Sequence, residues 1–242
     1  MKYGIIADVH SNLEAFKAVL DAMKGIEKFI YAGDIVGYGA DPNACIDLLR
    51  SLNVKAVAGN HDKAVSDDVG IGFYRGDIIR SINWTKSVIT KDNMQYLRDL
   101  PEHIEEQGYE IVHGSLRSPL DEYITGVDVG AINIDLQKRK LCFVGHLHVP
   151  LYIFKNADGT YDGGHLADGD KLGLSKPEAA VINVGSIGQP RDNDPRASFG
   201  IYDTEKNTLQ IKKIAYDIDA AQKKIRKAKL PDFFAERLRY GR

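Results

Sequence analysis

Two histidines, His146 and His148, stand one residue apart at the end of the apolar run "LCFVGHLHVP". Residues i and i+2 of a strand share a face, so both imidazoles can be aimed at one point. Four other runs end in similar residues: Asp8-x-His10, Gly33-Asp34, Gly59-Asn60-His61-Asp62 and His113-Gly114. Each alone says little, because Gly-Asp is common in turns and Asn-His-Asp can cap a helix. Together they place five of the chain's seven histidines at strand ends, leaving His103 and His165 in polar loop sequence. Imidazole, carboxylate and carboxamide without thiolate suit Mn, Fe, Zn or Ni more than a pure Mg or Ca site. Two cations about 3.5–4 Å apart need a bridging carboxylate, neutral imidazoles and a harder oxygen donor. Glycines beside such ligands let the backbone close around the ions. Cys45 and Cys142 lie far apart with no Cys-x-x-Cys partner, so both read as small buried hydrophobes.

Elements that could carry these residues follow from periodicity. "KYGIIADVH", "KFIYAGD" and "VKAVAGNHD" are short apolar runs with polar ends, which predict buried strands opening onto loops. Between the first two, Leu13, Phe16, Leu20 and Met23 mark a helix face, with Ser11 and Glu14 in capping-box spacing and Gly25 as the stop. Between the next two, Asp41 is the expected N-cap and Pro42 the first helical residue. Strands alternating with helices predict a βαβαβ core with parallel neighbours, and in such sheets ligands bind beyond the carboxyl ends of the strands.

Residues from about 64 to 101 read as a helical insertion, with Ile78, Ile82 and Ile89 at helical spacing and Thr90 capping a shorter helix before Pro101. Strand patterns then dominate, with hairpin turns expected at 156–159 and 204–207. A helical tail spans about 217–242, broken near Pro231. No repeat or linker divides residues 1–242, so a single domain is expected.

Hydrophobic residues at 43%, charged residues at 27% and a net charge of -2 describe an ordinary soluble globular protein. That balance argues against a surface devoted to nucleic acid or membrane. No apolar run reaches spanning length, and "MKYGIIADVH" is too short and too soon acidic for a signal peptide, so a cytoplasmic location is expected. From Lys212 to Arg242, ten Lys or Arg face four Asp or Glu; this reads as a solvated helix face, not a nucleic-acid site. No stable nucleic-acid partner and no membrane are expected.

In order, the five blocks resemble the calcineurin-like metallophosphoesterase superfamily, whose pattern is D-x-H, GD, GNH[DE], H and GHxH. "NVGSIGQPRDNDPRASF" and "AAQKKIRKAKLPDFFAERLRYGR" are similar to a bacterial phosphodiesterase-type branch. The resemblance implies a four-layer α/β/β/α sandwich with two mostly mixed sheets and two divalent transition-metal ions, Mn foremost. The first ion would be held by Asp8, His10, Asp34 and His148. The second would share Asp34 and take Asn60, His113 and His146, while His61 would face the substrate. The implied activity is hydrolysis of a small organic or nucleotide phosphodiester by metal-activated water attacking in line, with His61 assisting the leaving group. Alternatives are a dinucleoside polyphosphate hydrolase or a phosphomonoesterase. A non-catalytic metal-binding scaffold is the alternative of another class, opposed by the presence of His61.

One block departs from the family's GDxVDRG variant, in which the second Asp orients the catalytic His and the Arg clamps phosphate. Here "GDIVGYG" puts Gly37 and Tyr38 at those places. Tyr38 lacks the charged fork of Arg, which disfavours a dianionic monoester and leaves a monoanionic diester. Arg191 and Arg196 in "GSIGQPRDNDPR" have two readings: surface pairs with Asp192 and Asp194, or a loop that closes on the site with Arg191 on a phosphate. Arg191 and Tyr38 are thus the candidate substrate-binding residues. Asp62 either orients His61 or caps the next segment, Asn183 and Ser186 shape a turn, and Trp84 belongs to the core of the insertion.

Overall fold

A computed structural model describes residues 1–242. Strands β1 (Lys2–Ile6), β2 (Lys28–Tyr31) and β3 (Val54–Ala56) alternate with helices α1 (Leu13–Ala22) and α2 (Pro42–Arg50), and β2 is parallel to both neighbours. Three helices follow, α3 (Asn60–Asp67), α4 (Gly76–Val88) and α5 (Lys91–Asp99). Next come β4 (His103–Glu106), β5 (Tyr109–Val112), α6 (Val127–Leu136) and β6 (Leu141–Val144). Strands β7 (Pro150–Lys155), β8 (Tyr161–His165), β9 (Lys171–Gly173), β10 (Ala179–Val184), β11 (Ala197–Asp203) and β12 (Thr208–Ile214) precede the tail helices α7 (Ile218–Lys227) and α8 (Asp232–Glu236). No helix is long and apolar enough to cross a membrane.

The strands form two six-stranded mixed sheets, ordered β3-β2-β1-β11-β12-β9 and β4-β5-β6-β10-β7-β8. Ile5, Ile30 and Val57 of the first pack against Phe143, Ile182 and Val184 of the second, a buried layer between two sheet faces. The outer face of the first sheet is covered by Phe16, Val19, Ile46 and Leu49 from α1 and α2, and by Val65, Ile82 and Leu97 from α3 to α5. Outside the second sheet, Ile134 of α6 meets Cys142, Val181 and Ile153. The result is the α/β/β/α sandwich, in which both parallel cores end their strands at the same edge.

Several local expectations shift. The cap of α1 is Asn12, whose Oδ1 accepts the Ala15 N–H at 3.2 Å. Ser11 is displaced from that role because its own N–H donates to Ile35 O at 2.9 Å, holding it in left-handed backbone at φ 55°. Asp41 stands at the N-cap of α2, but its carboxylate pairs with Lys224 instead of the helix N–H groups. Helix begins at Asn60, inside the ligand motif, not after it. Strands β4 and β9 and helix α6 go unseen in the β-like sequence. The α6 run "VDVGAINIDL" spreads apolar residues around the helix, and Gly130 lets it lie against Ile153, where a Cβ would come within 2.7 Å. Trp84 packs into a cluster with Tyr38, Ile225, Phe234 and Leu238, so it joins the insertion to the tail. Cys45 and Cys142 are free and buried.

Candidate metal centre

The loops after β1 and β2 extend the parallel ladder beyond the strands. Asp8 N donates to Gly33 O at 2.9 Å and His10 N to Asp34 O at 3.0 Å. Within the second sheet, Asn183 Nδ2 donates to Gly145 O, and across the sandwich Ser186 Oγ donates to the main-chain oxygen of Asp8 at 2.8 Å. Both shape the turn, Asn183 by accepting Gly185 N and Ser186 by accepting Gln189 N, and Ser186 also ties the two sheets' loops together. Asp8, His10, Asp34, His146 and His148 all adopt left-handed backbone, with φ between 47° and 68°. Such strain costs about 1–3 kcal/mol per residue and persists only where surrounding bonds over-determine it.

These bonds converge all seven candidate ligands. His10 Nε2 lies 3.0 Å from His148 Nε2 and 3.6 Å from Asp34 Oδ2, and Asp8 Oδ1 lies 3.3 Å from His148 Nε2. On the other side, His113 Nε2 lies 3.3 Å from Asp34 Oδ2, 3.0 Å from Asn60 Oδ1 and 3.1 Å from His146 Nδ1. Two donor groups result, Asp8–His10–Asp34–His148 and Asp34–His113–His146, and Asp34 belongs to both. Gly59 allows this: a Cβ there would fall 2.0 Å from Asp34 Oδ1.

Whether cations fit is decided by the outward-facing ring nitrogens. His10 Nδ1 faces Val36 O at 3.0 Å, His148 Nδ1 faces Gln189 O at 2.6 Å, and His113 Nδ1 faces Ala32 O at 2.7 Å. His146 is reversed, with Nε2 on Asp121 O at 3.2 Å. A carbonyl only accepts, so each of these nitrogens carries the proton and the inner nitrogen is left for a metal. Burial, opposed by Asp34, holds His10 well below the ordinary histidine range, and burial with Arg191 does the same to His148. Two neutral imidazoles therefore turn lone pairs toward each other at 3.0 Å, a contact that repels unless a cation lies between them. Asp8 Oδ2 is buried without any partner. At the second group, burial opposes charging His113, but Asp34 raises it to about 9, so its Nε2 holds a proton that a cation would displace. Burial likewise opposes ionisation of Asp34, yet His113 and His61 hold its carboxyl well below the usual range. The residues fit a metal centre.

Around this floor, Asp62 accepts the N–H groups of Gly59, Asp34, Ile35 and Val36 at 2.9 to 3.2 Å. It pins the Asp34 loop and the start of α3 and makes no bond to the His61 ring. His61 turns Nε2 to the Tyr38 hydroxyl at 2.9 Å, and its Nδ1 is buried without a partner. Gly37, at φ 98°, leaves no room for a side chain there, since a Cβ would sit 2.6 Å from His61 Nδ1. Burial and Arg191 lower the His61 pKa against Asp34, which raises it.

A cavity of about 70 Å³ opens over these groups, lined among others by Asp34, Asn60, His61, Tyr38 and Arg191. Arg191 thus reaches the site and forms no pair with Asp192 or Asp194; its Nη2 donates to Gln189 Oε1. Arg196 does pair with Asp194, and with Asp168. Two residues escape the sequence reading. Tyr74 accepts a hydrogen bond from Asn60 Nδ2, which fixes the carboxamide oxygen inward. Tyr123 stacks on His146 at 3.8 Å. Both come from irregular stretches where nothing in the spacing marks them. A larger cavity of about 700 Å³ shares Arg191, but its Asp168, Asp194, Arg196 and Lys213 pair with one another and no metal-ligating group lies there.

The profile of the calcineurin-like phosphoesterase superfamily domain matches residues 1–207. The chain belongs to that superfamily. It is 39% identical over 245 residues to an uncharacterized protein of Methanocaldococcus jannaschii, covering 98% of this chain and 97% of that one. A metallophosphoesterase from Sphaerobacter thermophilus, 36% identical, superposes over the whole of both chains with a TM-score of 0.90. A hypothetical protein from Pyrococcus horikoshii, at 22% identity and TM-score 0.81 over 100% of this chain and 98% of that one, shares the fold. As a calcineurin-like phosphoesterase the protein is a metal-dependent phosphoester hydrolase, and its buried Asp and His groups could hold the metal.

Proposed function

We propose that this phosphoesterase holds two divalent ions and hydrolyses a small organic or nucleotide phosphodiester. The observation that carries the reading is the Asp34 carboxylate standing between two groups of imidazoles, each ring turned inward by a main-chain carbonyl on its outer nitrogen. Asp8, His10, Asp34 and His148 would hold one ion, and Asp34, Asn60, His113 and His146 the other. Manganese is the foremost metal for this donor set, with Fe, Zn or Ni also suited. Bound there, such ions polarise phosphoryl oxygens and lower the pKa of a water.

The chain's own part is positioning and proton delivery. His61 supplies the proton to the leaving oxygen; its lowered pKa makes the protonated ring a strong acid, and an anionic diester beside it favours that protonation. The Tyr38 hydroxyl on Nε2 and the absence of space at Gly37 fix the ring's plane. Tyr38 also supports the diester, since it replaces the guanidinium that a dianionic monoester would use. A monoester is the second reading, favoured by Arg191 at the cavity.

Hydrolysis of bis(p-nitrophenyl) phosphate and p-nitrophenyl phosphate by stripped protein, with Mn, Ni, Zn or Mg restored, separates the readings. Metal-dependent turnover favouring the diester is expected. Preference for the monoester would transfer the phosphate clamp to Arg191, and metal-independent turnover would refute the metal chemistry.

A further inference from the structure

The tail brings a second guanidinium beside Arg191, at the edge of the site. Arg237, just beyond α8, donates from Nη1 to Gln189 Oε1 at 2.9 Å, and Arg191 donates from Nη2 to the same oxygen at 2.9 Å. Gln189 meanwhile gives its main-chain oxygen to the metal-ligand candidate His148. One residue therefore couples two arginines to the floor of the site. Neither arginine has an Asp or Glu side chain within ion-pair reach, although Arg196, Arg226 and Arg239 all do. Arg237 also donates from Nε to the main-chain oxygen of Arg242 and lies over the Phe233 ring.

Converging like charges on a neutral amide is a costly way to build a scaffold, because a carboxylate at 189 would hold both arginines better. A neutral carboxamide orients the two guanidiniums and leaves their charge available. Two donors there lack acceptors as well: Arg191 Nε and Gln189 Nε2 are buried and unpartnered. Burial and Arg191 together push Arg237 down to about 10, so an anion between them would relieve both. The placement is secured from outside, since Phe234 packs on Tyr38 at 4.9 Å and Asn193 N donates to Gly241 O at 2.9 Å.

We propose that Arg191 and Arg237 form a two-guanidinium subsite beside the metal centre that binds a second phosphate of the substrate. This rests on the phosphodiesterase reading and narrows it to diesters that carry a further anionic phosphate. Bidentate guanidinium recognition suits phosphate geometry, and two forks sharing one orienting atom set its position.

The test compares thymidine 5′-(p-nitrophenyl phosphate) with the same diester bearing a 3′-phosphate, using the metal-loaded full chain. The wild type should favour the 3′-phosphorylated diester by about tenfold or more in kcat/KM, mostly through KM. Arg237→Gln should bring the ratio near one, with Arg237→Lys between, in variants whose melting curves show a folded chain. A wild-type ratio near one, or an undiminished ratio in Arg237→Gln, would overturn the proposal. If neither diester is hydrolysed, the phosphodiesterase reading fails by itself. Calorimetric binding of thymidine 3′,5′-bisphosphate against thymidine 5′-phosphate then decides: tighter bisphosphate binding lost in Arg237→Gln supports the subsite, and equal binding removes it.

Discussion

On the floor of the site, each candidate metal-ligand histidine is pinned by a main-chain carbonyl, and five of the seven candidate ligands sit in left-handed backbone. At the rim, Tyr38, Tyr74, Tyr123 and Arg191 arrive from loops, and each side chain is held by a single hydrogen bond or by ring packing. The floor is strained and over-determined, as preorganised ion binding requires. The rim comes from irregular segments and touches the floor at Asn60, His61 and His146.

Substitutions on the floor should cost most. Asp34→Asn weakens both donor groups at once and should abolish turnover and deplete bound metal, read by elemental analysis alongside the diester assay. Even outer partners of metal ligands are worth about 10–100-fold. Normal activity with metal retained would break the assignment of a shared carboxylate. His61→Ala, at the boundary between floor and rim, should lower kcat by about 10²–10⁴ while metal content stays unchanged. An unaltered rate would remove His61 from the reaction.

Asp62→Ala sharpens the comparison from the side of stability. Four buried N–H groups would lose their acceptor, so urea unfolding should show a loss of more than about 3 kcal/mol. A loss below 1 kcal/mol would mean that water or a rearranged loop satisfies those donors.

The smallest effect is one of pH on stripped protein. Burial lowers the pKa of His10, His61, His146 and His148, so below about pH 6.5 the unfolded chain takes up protons at these four rings more readily than the folded chain. Asp8 and Asp62, pushed by burial to about 7, oppose this by retaining two. The imidazoles outnumber the carboxyls, so stability should be lost as pH falls from about 6.5 towards 4. Melting temperatures at pH 7 and pH 5 check this; a higher value at pH 5 would contradict it.

The floor was legible because ligand chemistry restricts residue type, and parallel strands bring their carboxyl ends to one edge. Asp8, His10, Asp34, Asn60, His113, His146 and His148 stood out at strand ends by type, the superfamily's pattern marked them as ligands, and the structure brings them together. Alternating strand and helix made the α/β core legible, while the four-layer sandwich came from the resemblance to the superfamily. What escaped was set by packing or by competing bonds. Helix α6 has no polar face to mark it, and the α1 cap moved to Asn12 because Ser11 was already tied to β2's loop. Tyr74, Tyr123 and Arg237 lie in stretches without periodicity, so only three-dimensional proximity reveals them. Arg191 had two readings in sequence, and it was Gln189, a neutral residue, that drew it from the neighbouring aspartates.

The most direct test of the central claim is the number of metal ions bound per chain after stripped protein is dialysed against Mn. Two are predicted for the wild type, with one each for His10→Ala and His113→Ala, which lie in different donor groups. A folded wild-type chain that retains none, or variants that retain the full complement, would contradict the account.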